Sequence, residues 1–337
     1  MDTPIVSVVM PVFNAASTLD EAVESLQAQT LTAWELVAVD DGSTDGSLDM
    51  LRAWAARDAR VRVVALGHEG IVPALNAGLS EARAPLIARM DADDVCLPGR
   101  LLAQVDHLGA HADIGVVGCG VEMFPRTGLT AGMLHYEEWL NSVVEPADVD
   151  REMYVESPLA HPSVVFRGDV VQAAGGYREG PFPEDYDLWL RLHARGVRMG
   201  KVPAVLLRWR DGCARLSRTD GRYSRDAFRE LKAHHLARSW LAGRNEVQIW
   251  GAGPDGRRWR RALAAEGIRV TRFFDIDPRK VGRVLGGGAP VLDWKEIPNH
   301  RGTPLLYAVG VKGARALVRQ ALADMGWVEA TDFRCVQ

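Results

Sequence analysis

Three stretches of the chain decide its fold: Val8-Val9-Met10-Pro11-Val12-Phe13-Asn14, Val39-Asp40-Asp41-Gly42-Ser43-Thr44-Asp45 and Met90-Asp91-Ala92-Asp93-Asp94. Each begins as an apolar run and ends in polar residues. Another apolar run covers residues 61–66, and helix-like segments cover 19–28, 48–56 and 72–82. Strands covered on both faces are near-continuous in apolar residues, and strands that alternate with helices form parallel sheets. We therefore predict an α/β domain with helices on both faces of its sheet.

Polar residues gather where these strands end. In open α/β sheets ligands bind outside the carboxyl ends of the strands, so the loops after the strands are expected to meet at one crevice. Asp, Gly and Ser also favour ordinary turns and helix caps. However, four carboxylates in such a crevice would repel one another unless a cation lies among them; they belong to Asp40, Asp41, Asp91 and Asp93. The pattern favours a functional site.

Composition suits an enzyme of two domains. The 337 residues are 47% hydrophobic and 25% charged, and one domain usually spans roughly 100 to 200 residues. The formal net charge of -4 supplies no basic field for nucleic acid, so we expect no nucleic-acid partner. The cysteines are widely scattered, which is typical of reduced thiols rather than of a zinc site or a disulfide framework; they are Cys96, Cys119, Cys213 and Cys335.

The expected location is the cytoplasm. The chain opens without the basic start and cleavage site of a signal peptide, and no apolar run approaches the roughly 20 residues that cross a bilayer. Residues 222–245 read as a linking helix whose basic residues would suit an anionic membrane surface, although Asp226 and Glu230 dilute this charge. Any membrane contact is therefore expected to be peripheral, at the inner face of the membrane.

In their order and spacing, the three opening stretches resemble the family 2 inverting glycosyltransferases of GT-A fold, whose sheet is mostly parallel with flanking helices. The resemblance covers about residues 5–215. It implies that the donor is a nucleotide sugar, and the pattern of the motifs suggests a uridine nucleotide. It also implies that Mg²⁺ or Mn²⁺ bridges the diphosphate of the donor. It makes Asp93 the metal ligand. The implied nucleotide-sugar-binding residues are Pro11, Phe13, Asn14, Asp41, Asn76 and Asp91.

Some of these residues receive a role from the resemblance. Asp91 would orient the sugar or ribose, and Asp41 would accept a hydrogen bond from the base, with Pro11 and Phe13 against its ring. The sequence departs from the pattern before Asn76, where many relatives have an arginine. The charge partner of the diphosphate then falls to Arg89 or Arg100; these two alternatives stay open.

A second constellation, Pro183-Glu184-Asp185-Tyr186-Asp187-Leu188-Trp189-Leu190-Arg191, follows Gly175-Gly176-Tyr177 and resembles the family's Glu-Asp motif. The resemblance makes Asp185 the catalytic base, which removes the proton of the attacking acceptor hydroxyl. An amphipathic helix with acids in its first turn would give the same pattern. Contacts to the acceptor or to phosphate are weaker expectations at His161, Glu184, Trp189 and Arg210.

The C-terminal region contains a glycine motif. Gly251, Gly253 and Gly256 follow a predicted strand and precede a predicted helix, and Asp275 ends the next strand. This context suits a nucleotide phosphate at the helix N-terminus and a ribose hydroxyl at the acid. The region also resembles the small nucleotide-sugar-binding halves of bacterial sugar acyltransferases. A structural or oligomerising role is the alternative.

The sequence thus predicts residues 1–221 as a GT-A glycosyltransferase domain, 222–245 as a linking helix and 246–337 as a Rossmann-like domain. The expected function is metal-assisted transfer of a sugar from a UDP-sugar to a glycan or lipid-linked acceptor. Two alternatives remain at this point. One is an NAD-linked sugar oxidoreductase centred on the glycine motif, and the other is a non-catalytic nucleotide-sugar-binding protein.

Overall fold

A computed structural model describes residues 3–212, 215–311 and 313–337. The chain divides into two compact units. The first unit comprises Met1–Asp150 and Pro158–Asp220, and the second comprises Arg151–Ser157 and Gly221–Gln337. The second unit therefore takes a short segment from within the predicted glycosyltransferase domain, and it includes the helix that the sequence predicts as a linker.

The first unit alternates strands and helices as predicted over its first ninety or so residues. Its elements are β1 (Val6–Val12), α1 (Leu19–Gln27), β2 (Trp34–Asp40), α2 (Ser47–Arg57), β3 (Val61–Ala65), α3 (Ile71–Glu81), β4 (Leu86–Arg89), β5 (Val95–Cys96), α4 (Arg100–Ala110), β6 (Ile114–Phe124), α5 (Ala131–Ser142), α6 (Pro146–Glu152, of which Arg151 and Glu152 belong to the second unit), a 3-10 turn (His161–Ser163), β7 (Val165–Arg167), α7 (Gly168–Ala173), α8 (Glu184–Ala194), β8 (Arg198–Arg210) and α9 (Leu216–Thr219).

These strands form one eight-stranded sheet in the order β3-β2-β1-β4-β7-β6-β8-β5. Strands β3, β2, β1 and β4 are parallel, which confirms the prediction for this part of the chain. Strand β7 is antiparallel to both β4 and β6, while β8 runs parallel to β6. The fold is therefore an α/β fold whose sheet becomes mixed beyond β4. All seven residues of β1 and of β2 are buried, as expected for strands between two layers of helices.

Close packing of α3 onto the sheet depends on Gly78. A Cβ atom at this position would lie 2.4 Å from Cγ1 of Val9 on β1 and 3.4 Å from Cγ2 of Val39 on β2. Any larger residue would push the helix away from the strands, because protein interiors are close-packed. This contact fixes α3, and with it Asn76, beside the carboxyl ends of β1 and β2.

The second unit has its own sheet. Its elements are a 3-10 turn (Gly221–Tyr223), α10 (Arg225–Arg238), β9 (Glu246–Trp250), α11 (Pro254–Ala265), β10 (Arg269–Asp275), β11 (Val284–Leu285), β12 (Ala289–Asp293), a 3-10 segment (Trp294–His300), β13 (Leu305–Tyr307), α12 (Ala314–Asp324) and β14 (Phe333–Cys335). The strand order is β11-β12-β10-β9-β13-β14, and the five strands from β12 to β14 are parallel. For the five parallel strands alone, numbered in chain order from β9, the order is 3-2-1-4-5, which matches the first five strands of a doubly wound α/β sheet.

The segment predicted as a basic linking helix is part of this second unit. Helix α10 ends at Arg238, and Lys232 is buried, with its ammonium group 3.0 Å from the carbonyl oxygen of Val155 and 3.3 Å from that of Val336. Arg229 pairs with Asp226, and Arg238 pairs with Glu266. Much of the positive charge that suggested a membrane surface is therefore used within the unit. Along the described parts of the chain, no helix is both long and apolar enough to span a bilayer.

Three of the four cysteines lie in the described residues. Cys96, Cys119 and Cys335 are buried free thiols, as predicted. Cys213 lies outside the described residues.

Candidate active site

One end of the site is built at the carboxyl ends of β1 and β2. Asp41, directly after β2, is buried, and its two carboxylate oxygens accept the backbone N–H groups of Glu69 at 2.6 Å and of Gly70 at 2.9 Å. His68 precedes them with a left-handed φ of 62°. Its ring stacks on the half-exposed ring of Phe13 with centroids 4.3 Å apart. The result is an exposed aromatic surface beside a carboxylate.

Asn14 holds this end together. It adopts φ 51°, a conformation that asparagine tolerates better than most residues. Its side-chain oxygen accepts the backbone N–H of Thr44 at 2.8 Å, while its own backbone N–H donates to Oγ of Ser43 at 3.0 Å. The loops after β1 and β2 are thereby joined. Pro11 is buried within β1, so of the two residues predicted to lie against the base, Phe13 has the exposed ring.

Three carboxylates meet in the loop after β4. Oxygen atoms of Asp91, Asp93 and Asp94 all lie within 4.8 Å of one another. Burial and the charge of Asp91 raise the pKa of Asp93 to about 6, and burial together with both neighbours raises the pKa of Asp94 well above its ordinary value. The sequence predicted four carboxylates around a cation, two of them being Asp40 at the end of β2 and Asp41 directly after it. This was wrong for Asp40 and Asp41, which stand outside the group, and Asp94 joins it instead.

These carboxylates fit a hard divalent cation. Oδ1 of Asp94 accepts the backbone N–H of Arg210 at 2.8 Å, whereas Oδ2 is buried and has no hydrogen-bond partner among the described residues. A buried carboxylate oxygen without a partner is costly, and Mg²⁺ and Mn²⁺ prefer oxygen ligands. Arg210 closes the loop through a bond of 2.6 Å from Nε to the carbonyl oxygen of Asp93. We therefore assign Arg210 to shaping the acidic loop.

Arg89, the last residue of β4, joins the acidic loop to the rest of the site. Its side chain is 5% exposed and pairs with Asp91, while its Nε has no partner among the described residues. Its charge also acts on Asp93, Asp185 and His161. The alternative diphosphate partner, Arg100, is fully buried and donates to the carbonyl oxygen of Arg89 at 2.8 Å. Of the two arginines, Arg89 is the one that lies among the candidate site residues.

Asp185 lies in the first turn of α8. Burial raises its pKa to about 7, and the charge of Glu184 adds to the rise. Oδ1 accepts the backbone N–H of Tyr186 at 2.7 Å. Asp187 is instead committed to an ion pair of 2.7 Å with Nε of Arg191. Asp185 is therefore the carboxylate of this turn that combines a raised pKa with a neighbouring acidic group.

A turn before α8 is fixed from two sides. Gly175 and Gly176 have φ of 84° and 64°, and Arg191 donates to the carbonyl oxygen of Gly176 at 2.8 Å. Asn76 donates to the carbonyl oxygen of Tyr177 at 2.9 Å and accepts its N–H at 3.0 Å. Asn76 thus uses both ends of its amide on the backbone, so its predicted contact with the donor would come in addition to this clamp.

Tyr177 connects Asn76 to His161, the histidine that the sequence predicted as a site residue. Its hydroxyl lies 2.8 Å from Nε2 of His161, and the two rings are 5.3 Å apart. Burial and the charge of Arg89 lower the pKa of His161 well below its ordinary value, so the ring is neutral. Trp189, predicted to shape the acceptor pocket, is fully buried and packs edge-on against His161. Trp189 therefore supports the site from the core.

Sequence reasoning gave no site role to His68 or Tyr177, and it included Asp94 only as part of the acidic motif. Asp94 and Tyr177 stand inside motifs already quoted, and the crowding of three acids in Asp91-Ala92-Asp93-Asp94 was the available signal for the first. His68 carried no such signal, because only the fold of the loop before α3 brings its ring onto Phe13.

In the second unit, the glycine motif forms a tight turn between β9 and α11. Gly251 has φ 123°, and a Cβ atom on Gly256 would lie 1.8 Å from the carbonyl oxygen of Gly251. Asp275 is buried: Oδ2 accepts the N–H of Ala252 and an N–H of Lys280, both at 2.9 Å. The predicted ribose contact of Asp275 would have to compete with these bonds.

Comparison with known proteins shows the family of this chain. The family model described as glycosyl transferase family 2 matches residues 7–173. The chain is 33% identical to the amylovoran biosynthesis glycosyltransferase AmsE of Erwinia amylovora, over 80% of this chain and 91% of that protein. The chain belongs to glycosyl transferase family 2.

Two further proteins, one similar in sequence and one similar in structure, resemble this chain. It is 27% identical to the Escherichia coli UDP-Gal:alpha-D-GlcNAc-diphosphoundecaprenol beta-1,3-galactosyltransferase, over 69% of this chain and 83% of that one. In fold it resembles the crystal structure of S. aureus TarS 1-349 in complex with UDP, with a TM-score of 0.55 at 16% identity over 77% of this chain and 70% of that one. The chain is a glycosyltransferase of GT-A fold. This decides against the oxidoreductase and the non-catalytic binding protein as its main function.

Proposed function

We propose that this glycosyltransferase transfers a sugar from a UDP-sugar to a hydroxyl group of a glycan or lipid-linked acceptor, in one displacement that inverts the anomeric carbon. The observation that carries the proposal is the pairing of two acidic groups with different surroundings. Asp91, Asp93 and Asp94 crowd together, while Asp185 stands apart in the first turn of α8 with a pKa of about 7.

The donor would lie across the two ends of the site. Phe13 and His68 offer a ring surface for the base, and Asp41 accepts backbone bonds through one lone pair of each carboxylate oxygen, which leaves capacity for a base N–H. Asp91 and Arg89 would orient the ribose or sugar and the diphosphate. Support for uridine comes from the E. coli relative, whose name specifies UDP-Gal, and from the UDP that TarS binds.

Asp93 would hold Mg²⁺ or Mn²⁺, with Asp91 and Asp94 completing the acidic group. When bound, the cation would neutralise the charge that develops on the departing diphosphate. Asp185 would accept the proton of the acceptor hydroxyl, because a base with a pKa near the working pH combines basicity with the ionised state. Glu184 sustains that pKa by its charge. His161 stays neutral and holds Tyr177 in place.

The second unit adds a nucleotide-binding type of fold. We infer a Rossmann-like character from its 3-2-1-4-5 strand order and from the glycine turn before α11.

A donor panel tests the proposed function. The full chain is incubated with UDP-, GDP- and dTDP-sugars with Mn²⁺, Mg²⁺ or EDTA, and nucleoside diphosphate release is measured. We expect release from one or a few UDP-sugars that EDTA abolishes. With an acceptor in hand, the anomeric configuration of the product, read by NMR coupling constants, tests inversion. Release from GDP-sugars alone, full activity in EDTA or a retained configuration would each contradict the corresponding part.

A further inference from the structure

A small cavity in the second unit is lined by cations. It measures about 140 Å³, and its walls include Ala252, Gly253, Pro254, Arg257, Lys280 and Arg283, with no acidic residue among the residues that line it. Three of these side chains are cationic. We propose that this cavity binds the phosphate or diphosphate group of a ligand, as a site separate from the donor site of the first unit.

The cations are placed at the cavity by the local fold. Lys280 is held by an ion pair of 2.9 Å with the buried carboxylate of Asp275. That carboxylate is in turn fixed by the backbone N–H groups of Ala252 at 2.9 Å and Asp277 at 2.9 Å. Arg257 lies in the first turns of α11, and Arg283 comes from the segment between β10 and β11. Two separate parts of the unit, α11 and the segment between β10 and β11, therefore direct positive charge to one place.

Two of these cations lack a local counter-charge. Arg257 and Arg283 form no ion pair with the described residues, whereas neighbouring arginines do: Arg258 pairs with Asp255 at 2.9 Å, and Arg279 pairs with Asp277 at 3.0 Å. Guanidinium groups match phosphate oxygens through paired N–H donors. An anionic ligand would supply the counter-charge that the protein does not.

The backbone contributes in the same direction. The N-cap residue of α11, Gly253, has no side-chain cap, and Pro254 occupies the first turn. Free N–H groups and the helix dipole at such an end favour an anion. A Cβ atom on Gly253 would meet no atom within 4 Å, so the space next to this backbone is open.

The size of the cavity limits the ligand. Pockets that enclose drug-sized ligands measure about 300 to 1,000 Å³, whereas this one measures about 140 Å³. It suits a phosphorylated head group better than an entire dinucleotide. The bonds of Asp275 also argue against a dinucleotide. Its carboxylate accepts hydrogen bonds from Lys280 and from two backbone N–H groups, which are the positions that a ribose hydroxyl would otherwise take. Both a soluble nucleoside diphosphate and the head group of a lipid diphosphate have the required chemistry.

Calorimetry on the full chain in EDTA tests the proposal with inorganic diphosphate as the first probe. We expect binding that weakens as salt rises, and the pair of substitutions Arg257→Gln and Arg283→Gln should weaken it at least about tenfold by removing two charge-assisted contacts. Arg258→Gln is the matched control, since Arg258 is an exposed arginine of the same helix that does not line the cavity. It should stay within about twofold of the native chain, because an exposed ion pair contributes little. Thermal unfolding verifies that the variants fold, and their substituted side chains are exposed.

Two further probes separate the sources of phosphate. UDP represents the soluble source, and phosphatidylcholine vesicles with and without farnesyl diphosphate represent the lipid source. Dependence of either interaction on Arg257 and Arg283 supports the site and names its source. The proposal is overturned if neither probe nor inorganic diphosphate binds, or if Arg258→Gln weakens binding as much as the cavity pair. Because sugar transfer is not the readout, this result is independent of the donor and metal of the first unit.

Discussion

The acidic loop of the first unit and the glycine turn of the second unit hold carboxylates at the ends of parallel strands in opposite ways. After β4, three carboxylates crowd together, and Oδ2 of Asp94 lacks a partner among the described residues. After β9 and β10, a single buried carboxylate, Asp275, accepts bonds from Lys280 and from two backbone N–H groups.

In the proposed function the carboxylates of the acidic loop share a cation, whereas the carboxylate of Asp275 already has its partners within the protein. Uncompensated charge in a buried place costs free energy, so the proposed cation would stabilise the acidic loop. Asp275 incurs no such cost, because its partners come from the fold, and the unused positive charge lies on Arg257 and Arg283 instead. We therefore propose that the acidic loop of the first unit holds a cation and that the cavity of the second unit holds an anion.

The largest expected effect follows from Asp93→Asn. An amide keeps the shape of the carboxylate but loses the charge that would hold the cation, and such metal assistance is worth several kcal/mol of barrier. We expect UDP-sugar transfer to fall by about a thousandfold or more, with metal-dependent donor binding lost in calorimetry. The metal-free protein should become more stable, because the raised pKa of Asp93 shows that its ionised form is disfavoured in the fold.

Asp49→Asn is the control for this experiment. Asp49 is an exposed residue of α2 that pairs with Arg52, so its substitution should change neither transfer nor metal binding. Equal donor affinity of Asp93→Asn and the native chain, with and without EDTA, would remove Asp93 from the metal site.

The next largest effect concerns Asp185→Asn. General-base help contributes typically 100- to 10,000-fold, so turnover should fall by at least about 100-fold while UDP-sugar binding is kept. If Asp185 were merely a first-turn helix charge, asparagine would cost little and the rate would be nearly native. Asp169→Asn, in the exposed first turn of α7, is the matched control. Near-native transfer by Asp185→Asn would move the base to another group.

The sequence predicted the part of the fold that local patterns determine. The runs over residues 6–10 and 35–39 are strands, and the segment over 19–28 is a helix, because their apolar spacing already reflects burial on both faces or on one. The division of the chain into two units was harder to predict from the sequence. Nothing local in Arg151–Ser157 shows that this segment belongs with residues more than sixty positions further along.

Site prediction had the same limit. The acids of Asp91-Ala92-Asp93-Asp94 lie together in sequence, so their meeting was predictable. The position of Arg89 among Asp91, Asp93, Asp185 and His161 depends on how the fold brings three separate segments of the chain together, and it was not predictable. A double hydrogen bond such as that of Asn76 with Tyr177, which are 101 residues apart, likewise has no local signature.

A stability measurement sharpens the comparison between the two units. Asp275→Asn removes the charge that holds Lys280 and replaces one acceptor oxygen by an NH2 group, which cannot accept from the backbone N–H of Ala252 or of Asp277. Because Lys280 is 36% exposed, solvent weakens the pair, and we expect the second unit to lose only about 1 to 2 kcal/mol. Thermal unfolding measures this loss. Asp275 and Asp93 should then respond to the same chemical change with opposite signs, and a gain in stability from Asp275→Asn would remove the distinction.

The smallest effect is a shift in pH dependence that tests why Asp185 has a raised pKa. The base must be ionised to accept a proton, so kcat/KM should fall about tenfold per pH unit below an apparent pKa near 7. The first cause of that pKa is burial, and the second is the charge of Glu184, which disfavours ionisation of its neighbour. Glu184→Gln removes the second cause alone and should move the acidic limb to lower pH by less than about one unit.

Stability changes in the matching direction: a carboxyl whose pKa is raised in the fold contributes stability below its unfolded pKa, and this is lost as pH rises through about 7. Glu184→Gln should therefore reduce the loss of stability between about pH 4 and pH 7. The measurement is the pH profile of sugar transfer and of thermal unfolding, recorded for the native protein and for the Glu184→Gln variant. An unchanged acidic limb in a folded Glu184→Gln variant would leave burial as the whole cause, whereas a limb moved to higher pH would contradict the assignment of Glu184 as a charged neighbour.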